Sequence, residues 1–191
     1  PDRVFFIRIG YEFDGSWNKY EPDSFKKAFR RIVDALRQRN LSNYATVFAS
    51  SSTVKPGQFE EYDPGAEYYD WIGYSWWGNE KKFGNAAPAL AYARKLKKPV
   101  FVAESTARGH YFEKEDSETL WAGWFTEFFK HIEDNKDIIR AVSYINADWD
   151  AQDMWDGWGQ TRIQTSPLLQ QRWKEKMSQN TFVNASDTPH D

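Results

Sequence analysis

Two glutamates stand where apolar runs give out, and their setting is that of acid–base work on a bond between sugars. Glu12 lies in Arg8-Ile9-Gly10-Tyr11-Glu12-Phe13-Asp14-Gly15-Ser16-Trp17, just after Val4-Phe5-Phe6-Ile7. Glu104 follows Pro99-Val100-Phe101-Val102-Ala103. Cleavage of a glycosidic bond needs one carboxyl held protonated for the leaving oxygen and a second kept ionised at the anomeric carbon. Rings raise the first pKa by desolvation, and donors such as Arg8 or Asn146 keep the second group ionised. Taken singly, each glutamate reads equally well as a salt-bridge partner at a strand end. The repetition of one setting, with aromatic clusters beside both, favours function.

The rings are the unusual part of the composition. The 191 residues include 10 Trp, 10 Tyr and 14 Phe, 18% of the chain, while mean hydropathy is low at -0.80. Aromatic side chains on a polar surface suit flat ligands with apolar faces, sugars among them. Trp17, Trp76, Trp77, Trp149, Trp155 and Trp158 are candidate platforms, whereas Trp121, Trp124 and Trp173 read as helix core. His110, one residue past Gly109, is a candidate substrate contact whose simpler reading is a solvated loop histidine. His131 reads as helix surface. Acids (28) and bases (25) are interspersed, for a net charge of -3, so no basic patch invites nucleic acid or an anionic membrane. No run is long and apolar enough to span a bilayer, and the first residues do not form a signal-type stretch. Cysteine is absent, which removes disulfide and thiolate chemistry. With three scattered histidines, no metal and no cofactor are expected.

The elements that must position these residues follow from periodicity. After the opening strand, expected to be buried, Phe25, Ala28, Phe29, Ile32, Val33 and Leu36 predict an amphipathic helix over about 22–39. Strands are expected at 45–49, 70–74, 99–103 and 141–145, and helices at about 87–97, 117–134 and from Ser166-Pro167 onward. Residues 50–68 read as a loop without a full helix. One domain over 1–178 is expected, with a polar tail over 179–191. Continuous apolar strands separated by helices predict a parallel sheet with helices outside it. The polar and aromatic groups fall at the carboxyl ends of those strands, as in a (β/α)8 barrel. Only five strands can be counted, so the expected fold is α/β, a partial barrel of TIM type.

The runs Ile7-Arg8-Ile9-Gly10-Tyr11-Glu12-Phe13-Asp14-Gly15, Asp70-Trp71-Ile72-Gly73-Tyr74-Ser75-Trp76-Trp77, Pro99-Val100-Phe101-Val102-Ala103-Glu104-Ser105 and Tyr144-Ile145-Asn146-Ala147-Asp148-Trp149 together resemble glycoside hydrolase family 26. That family holds β-mannanases and related β-glycanases within a clan of retaining (β/α)8 barrels. The resemblance covers roughly residues 4–175 and follows the order of strands 4 to 8. It implies that Glu12 is the acid/base and Glu104 the nucleophile, and that the substrate is a β-linked polysaccharide, β-mannan or a related β-glycan. It puts Trp76 or Tyr74 near the sugar subsites; Arg8, Asp14, Trp17, Trp77, His110, Asn146, Asp148, Trp149 and Trp155 are the further candidate substrate contacts. Tyr11 stands where the family often has His. Secreted or periplasmic placement is implied by what the family digests, although no signal peptide lies in this chain. Half a barrel exposes two sheet edges, so a homo-oligomer, a partner fragment or a truncated reading frame is expected. Two other readings are a carbohydrate-binding remnant without catalysis and a bare scaffold.

Overall fold

The computed structural model describes residues 3–78 and 85–183. These form two compact units, one of residues 1–106 and 130–144, the other of 107–129 and 145–191. Most of the polar tail expected over 179–191 lies outside the described residues.

The first unit is built on a parallel sheet of β1 (Phe5–Arg8), β2 (Tyr44–Ser50), β3 (Trp71–Trp76), β4 (Val100–Ser105) and β6 (Ile139–Val142), adjacent in that order. Helices α1 (Pro22–Gln38), α2 (Gln58–Tyr62) and α3 (Ala87–Leu96) fall between successive strands. This is the partial (β/α) barrel expected from the alternation of apolar strands and amphipathic helices. The curl of the sheet can be read from its side chains. Strands in a sheet stand roughly 4.8 Å apart, so β1 and β4, with two strands between them, would lie about 14 Å apart if the sheet were flat. Yet the ring of Phe6 in β1 lies 4.8 Å from that of Phe101 in β4, and 5.0 Å from Trp71 in β3. The strands therefore bend round one concave face.

On the convex side α1 buries Phe25, Phe29 and Val33. Phe13 and Phe48 stack at 4.5 Å, with Phe59 and Tyr62 closing round Phe13. The segment 50–68, read from sequence as a loop, carries α2 and a 3-10 turn at Ala66–Tyr68. Five residues are too few to show a helical period, which is why the pattern missed α2. The opening strand also departs from expectation. It was predicted to be buried, but Val4, Phe5 and Phe6 are 80%, 51% and 45% exposed. An apolar run marks a strand that is buried on both faces only when neighbours flank it, and among the described residues β1 pairs with β2 alone. The last main strand starts and ends earlier than 141–145: its ladder with β4 opens at Val100 opposite Ile139 and closes at Val102 opposite Val142.

The second unit holds β5 (His110–Tyr111) paired with β7 (Gly159–Gln160), α4 (Ser117–Leu120), a π-helical turn at Trp121–Phe125, and α6 (Pro167–Met177). α5 (Thr126–Asp134) continues the π turn and carries the chain back into the first unit. The Ser166 hydroxyl caps α6 by accepting from Leu169 N–H, as the Ser-Pro pair predicted. Trp121, Trp124 and Trp173 lie among Phe125, Phe128 and Phe129.

Candidate active site

Glu12 sits four residues past the end of β1, in a turn cinched on several sides. Gly10 adopts φ 57°, and Phe25 packs so closely over it that a Cβ would lie 2.5 Å from the ring. Ile9 and Phe13 are buried on either side of Glu12, and Asn18 Nδ2 donates to the carbonyls of Tyr11 and Glu12 at 3.0 and 3.1 Å. Glu12 itself has φ 50°, a left-handed conformation uncommon for a side-chain-bearing residue. The turn drives its carboxyl inward until only 7% of the residue is exposed. There Oε1 accepts from the Ser75 hydroxyl at 2.7 Å and Oε2 from the indole N–H of Trp17 at 3.1 Å. Burial raises the pKa of Glu12 above the ordinary carboxyl value; the Ser75 hydrogen bond opposes this, the charge of Glu104 adds to it, the Trp17 bond opposes it and Asp14 adds again.

Glu104 reaches the same face by a bulge. In the β3–β4 ladder Tyr74 pairs with Val102 but Ser75 pairs with Glu104, so Ala103 is the extra residue. Strict alternation would put Glu104 on the side opposite Phe101. The inserted residue restores it to Phe101's side, the concave face that carries Ser75. Arg8 Nη2 then donates to Glu104 Oε1 at 2.5 Å, 96 residues away in sequence. The guanidinium of Arg8 also lies 5.5 Å from the ring of Tyr11, which is 44% exposed. Trp17, 57% exposed, spreads an indole beside Glu12.

The other candidates of this unit have partners of their own. Asp14 accepts from Ser51 N–H at 2.6 Å and from its hydroxyl at 2.7 Å, fastening the loop after β2. Tyr74 is fully buried and its hydroxyl lies 2.6 Å from His131 Nε2; Trp76 stacks on the same imidazole at 5.5 Å. Trp77 is 8% exposed. His131, expected on a helix surface, is thus packed against two β3 rings, and burial lowers its pKa to about 4 despite Asp134. A helical repeat gives a residue's face but not what a neighbouring strand lays on it.

In the second unit Asn146 accepts from Ile163 N–H at 2.7 Å and donates to Gln164 at 2.9 Å. Asp148 pairs with Arg162 at 3.0 Å. Trp149 is buried and donates its indole N–H to Thr161, while Trp155 and Trp158, both partly exposed, pack on it and on each other. Arg108 covers one face of Trp158 at 3.9 Å. His110 pairs with Glu115 at 2.8 Å. Among the described residues no cluster of His, Cys, Asp and Glu could hold a metal, and no helix is long and apolar enough to cross a membrane.

Sequence reasoning missed Ser75. A serine inside an apolar strand has no distinguishing pattern, and only its placement opposite Glu104 and against Glu12 gives it meaning.

No family model matches the chain. It is 30% identical over 210 residues to a β-1,3-xylanase of an Alcaligenes species, covering 97% of this chain and 45% of that protein. To the β-1,3-xylanase TXYA of a Vibrio species it is 31% identical over 211 residues, covering 97% and 46%. The chain therefore spans less than half the length of the curated relatives it matches. Among solved structures, the modular family 26 endo-β-1,4-mannanase of Cellulomonas fimi superposes with a TM-score of 0.69 at 15% identity, over 97% of this chain and 43% of that one. In fold the chain is similar to the barrels of family 26 glycoside hydrolases, spanning about half of the chains on which it superposes.

Proposed function

We propose that this chain carries the catalytic pair of a retaining β-glycanase. One observation supports the reading above all: a buried carboxyl with a raised pKa, Glu12, faces a second carboxylate, Glu104, that is gripped by Arg8. Glu104 attacks the anomeric carbon as Glu12 gives its proton to the departing glycosidic oxygen, leaving a glycosyl ester on Glu104. Glu12, now ionised, takes a proton from water, which displaces Glu104 from the same carbon and restores the original anomeric configuration. The Coulomb coupling serves both halves. The charge of Glu104 helps keep Glu12 protonated before attack, and esterification removes that charge when Glu12 must act as base.

The substrate is a β-linked polysaccharide, with β-1,3-xylan first because the relatives of higher identity are β-1,3-xylanases, and β-mannan second. Trp17 is the nearest platform for a sugar ring. The second unit has candidate sugar contacts of its own in the partly exposed Trp155, with His110, Asn146, Asp148 and Trp149. A polymer of this kind is digested outside the cytoplasm, so secreted or periplasmic placement belongs to the same proposal.

Glu104→Gln should lower kcat on the cognate polysaccharide by more than about 100-fold while oligosaccharide binding persists. Proton NMR of the first product of the unaltered chain should show the β anomer. An α product, or a Glu104→Gln protein of unchanged activity, rejects the assignment.

A further inference from the structure

The hydroxyl of Ser75 has no part in the chemistry described so far, yet its placement is specific. We propose that Ser75 is a positioning residue that fixes Oε1 of Glu12 as the accepting oxygen, so that the transferable proton is carried on Oε2. The inference rests on the reading of Glu12 as acid/base.

Ser75 is fully buried in β3, and its backbone carbonyl accepts from the Ser52 hydroxyl, which pins the strand at this residue. A serine hydroxyl has one proton to give. Here that proton points to Glu12 Oε1 at 2.7 Å, the sole hydrogen bond of this side chain among the described residues. An oxygen receiving such a bond in a buried setting is a poor place for a second proton. Oε2 has instead the longer 3.1 Å bond from Trp17, a residue 57% exposed, so Oε2 is the oxygen beside the candidate sugar platform. The same serine is the ladder partner of Glu104. One backbone position therefore sets the acid's orientation and its registry with the nucleophile. The charged groups facing Glu12 are Glu104 from β4 and Asp14 from its own turn, with Arg8 of β1 held on Glu104.

Ser75→Ala removes the donor and Ser75→Thr keeps a hydroxyl; thermal unfolding checks that both fold. Carboxyl carbon NMR on the full chain, with the Glu12 signal identified by its loss in Glu12→Gln, should show the Glu12 titration moved upward in Ser75→Ala and returned in Ser75→Thr. This readout needs no turnover. In kinetics, Ser75→Ala should lose about tenfold or more in kcat/KM on polysaccharide, whose leaving group needs a proton. On a dinitrophenyl β-glycoside, which departs unaided, the loss should stay within about threefold, and the basic limb of the pH profile should move up. Equal losses on both substrates, or an unmoved titration, overturn the inference. If Glu12→Gln cripples polysaccharide cleavage while Ser75→Ala leaves it intact, this inference alone falls. If Glu12→Gln retains full activity, the acid/base reading falls and takes the inference with it.

Discussion

Glu12 combines a left-handed backbone with a buried, proton-holding carboxyl, two departures from what stability alone favours. Such departures persist where surrounding contacts over-determine them, and here Phe13, Asn18 and Gly10 do so. The raised pKa has a consequence for folding. Between the ordinary value of 4.5 and its raised value, the folded state keeps a proton that the unfolded chain has released. Stability contributed by this group is therefore complete at acid pH and declines as pH rises through that window. Glu12→Gln, which cannot ionise, should melt above the unaltered protein at pH 7 to 8, and the gap should close below about pH 4.5. Calorimetry across that range checks the sign; a variant less stable at neutral pH would mean that the carboxylate is a net stabiliser.

At the scale of the element, the bulge at Ala103 decides which face Glu104 occupies. Inserting one alanine after Ala103 adds a residue the ladder has no place for and turns Glu104 toward the convex side, away from Arg8 and Ser75. The expected outcome is loss of activity as deep as that of Glu104→Gln, more than about 100-fold, with the far-ultraviolet circular dichroism retained. An insertion variant with activity near that of the unaltered protein would show that the register at Ala103 does not aim Glu104. A bulge leaves no mark in a run such as Val100-Phe101-Val102-Ala103-Glu104, which reads as a strand in either register. The placement of Glu104 near a strand end was legible; the face it takes was not.

For the molecule as a whole, β1 is the consequential strand. It pairs on one side only among the described residues and presents Val4, Phe5 and Phe6 to solvent. An exposed apolar edge is a template for another strand. The chain should therefore sediment above its monomer mass of 22.5 kDa, and Val4→Lys with Phe5→Lys, the two most exposed of these side chains, should return it toward monomer. Sedimentation equilibrium decides the matter, and monomeric behaviour of the unaltered chain would show that the edge needs no cover. The second unit carries its own aromatic cluster, of which Trp155 and Trp158 were legible as loop tryptophans and Arg108 was not.

The sequence by itself determined the parallel α/β plan, the main helices to within a residue or two, and the two glutamates after apolar strands. Those features rest on local periodicity and on where an apolar run ends. Tertiary structure alone decided what partners those residues have. The curl of the sheet brings Arg8 to Glu104 across 96 residues, a bulge re-aims Glu104, and Ser75 acquires a role from position rather than type. It likewise spends Asp14 on the Ser51 loop and His131 on the rings of β3. The physical reason is common to all of these. Hydrogen bonds and burial between distant segments depend on how the sheet bends and shifts register, and no local pattern of residues encodes that.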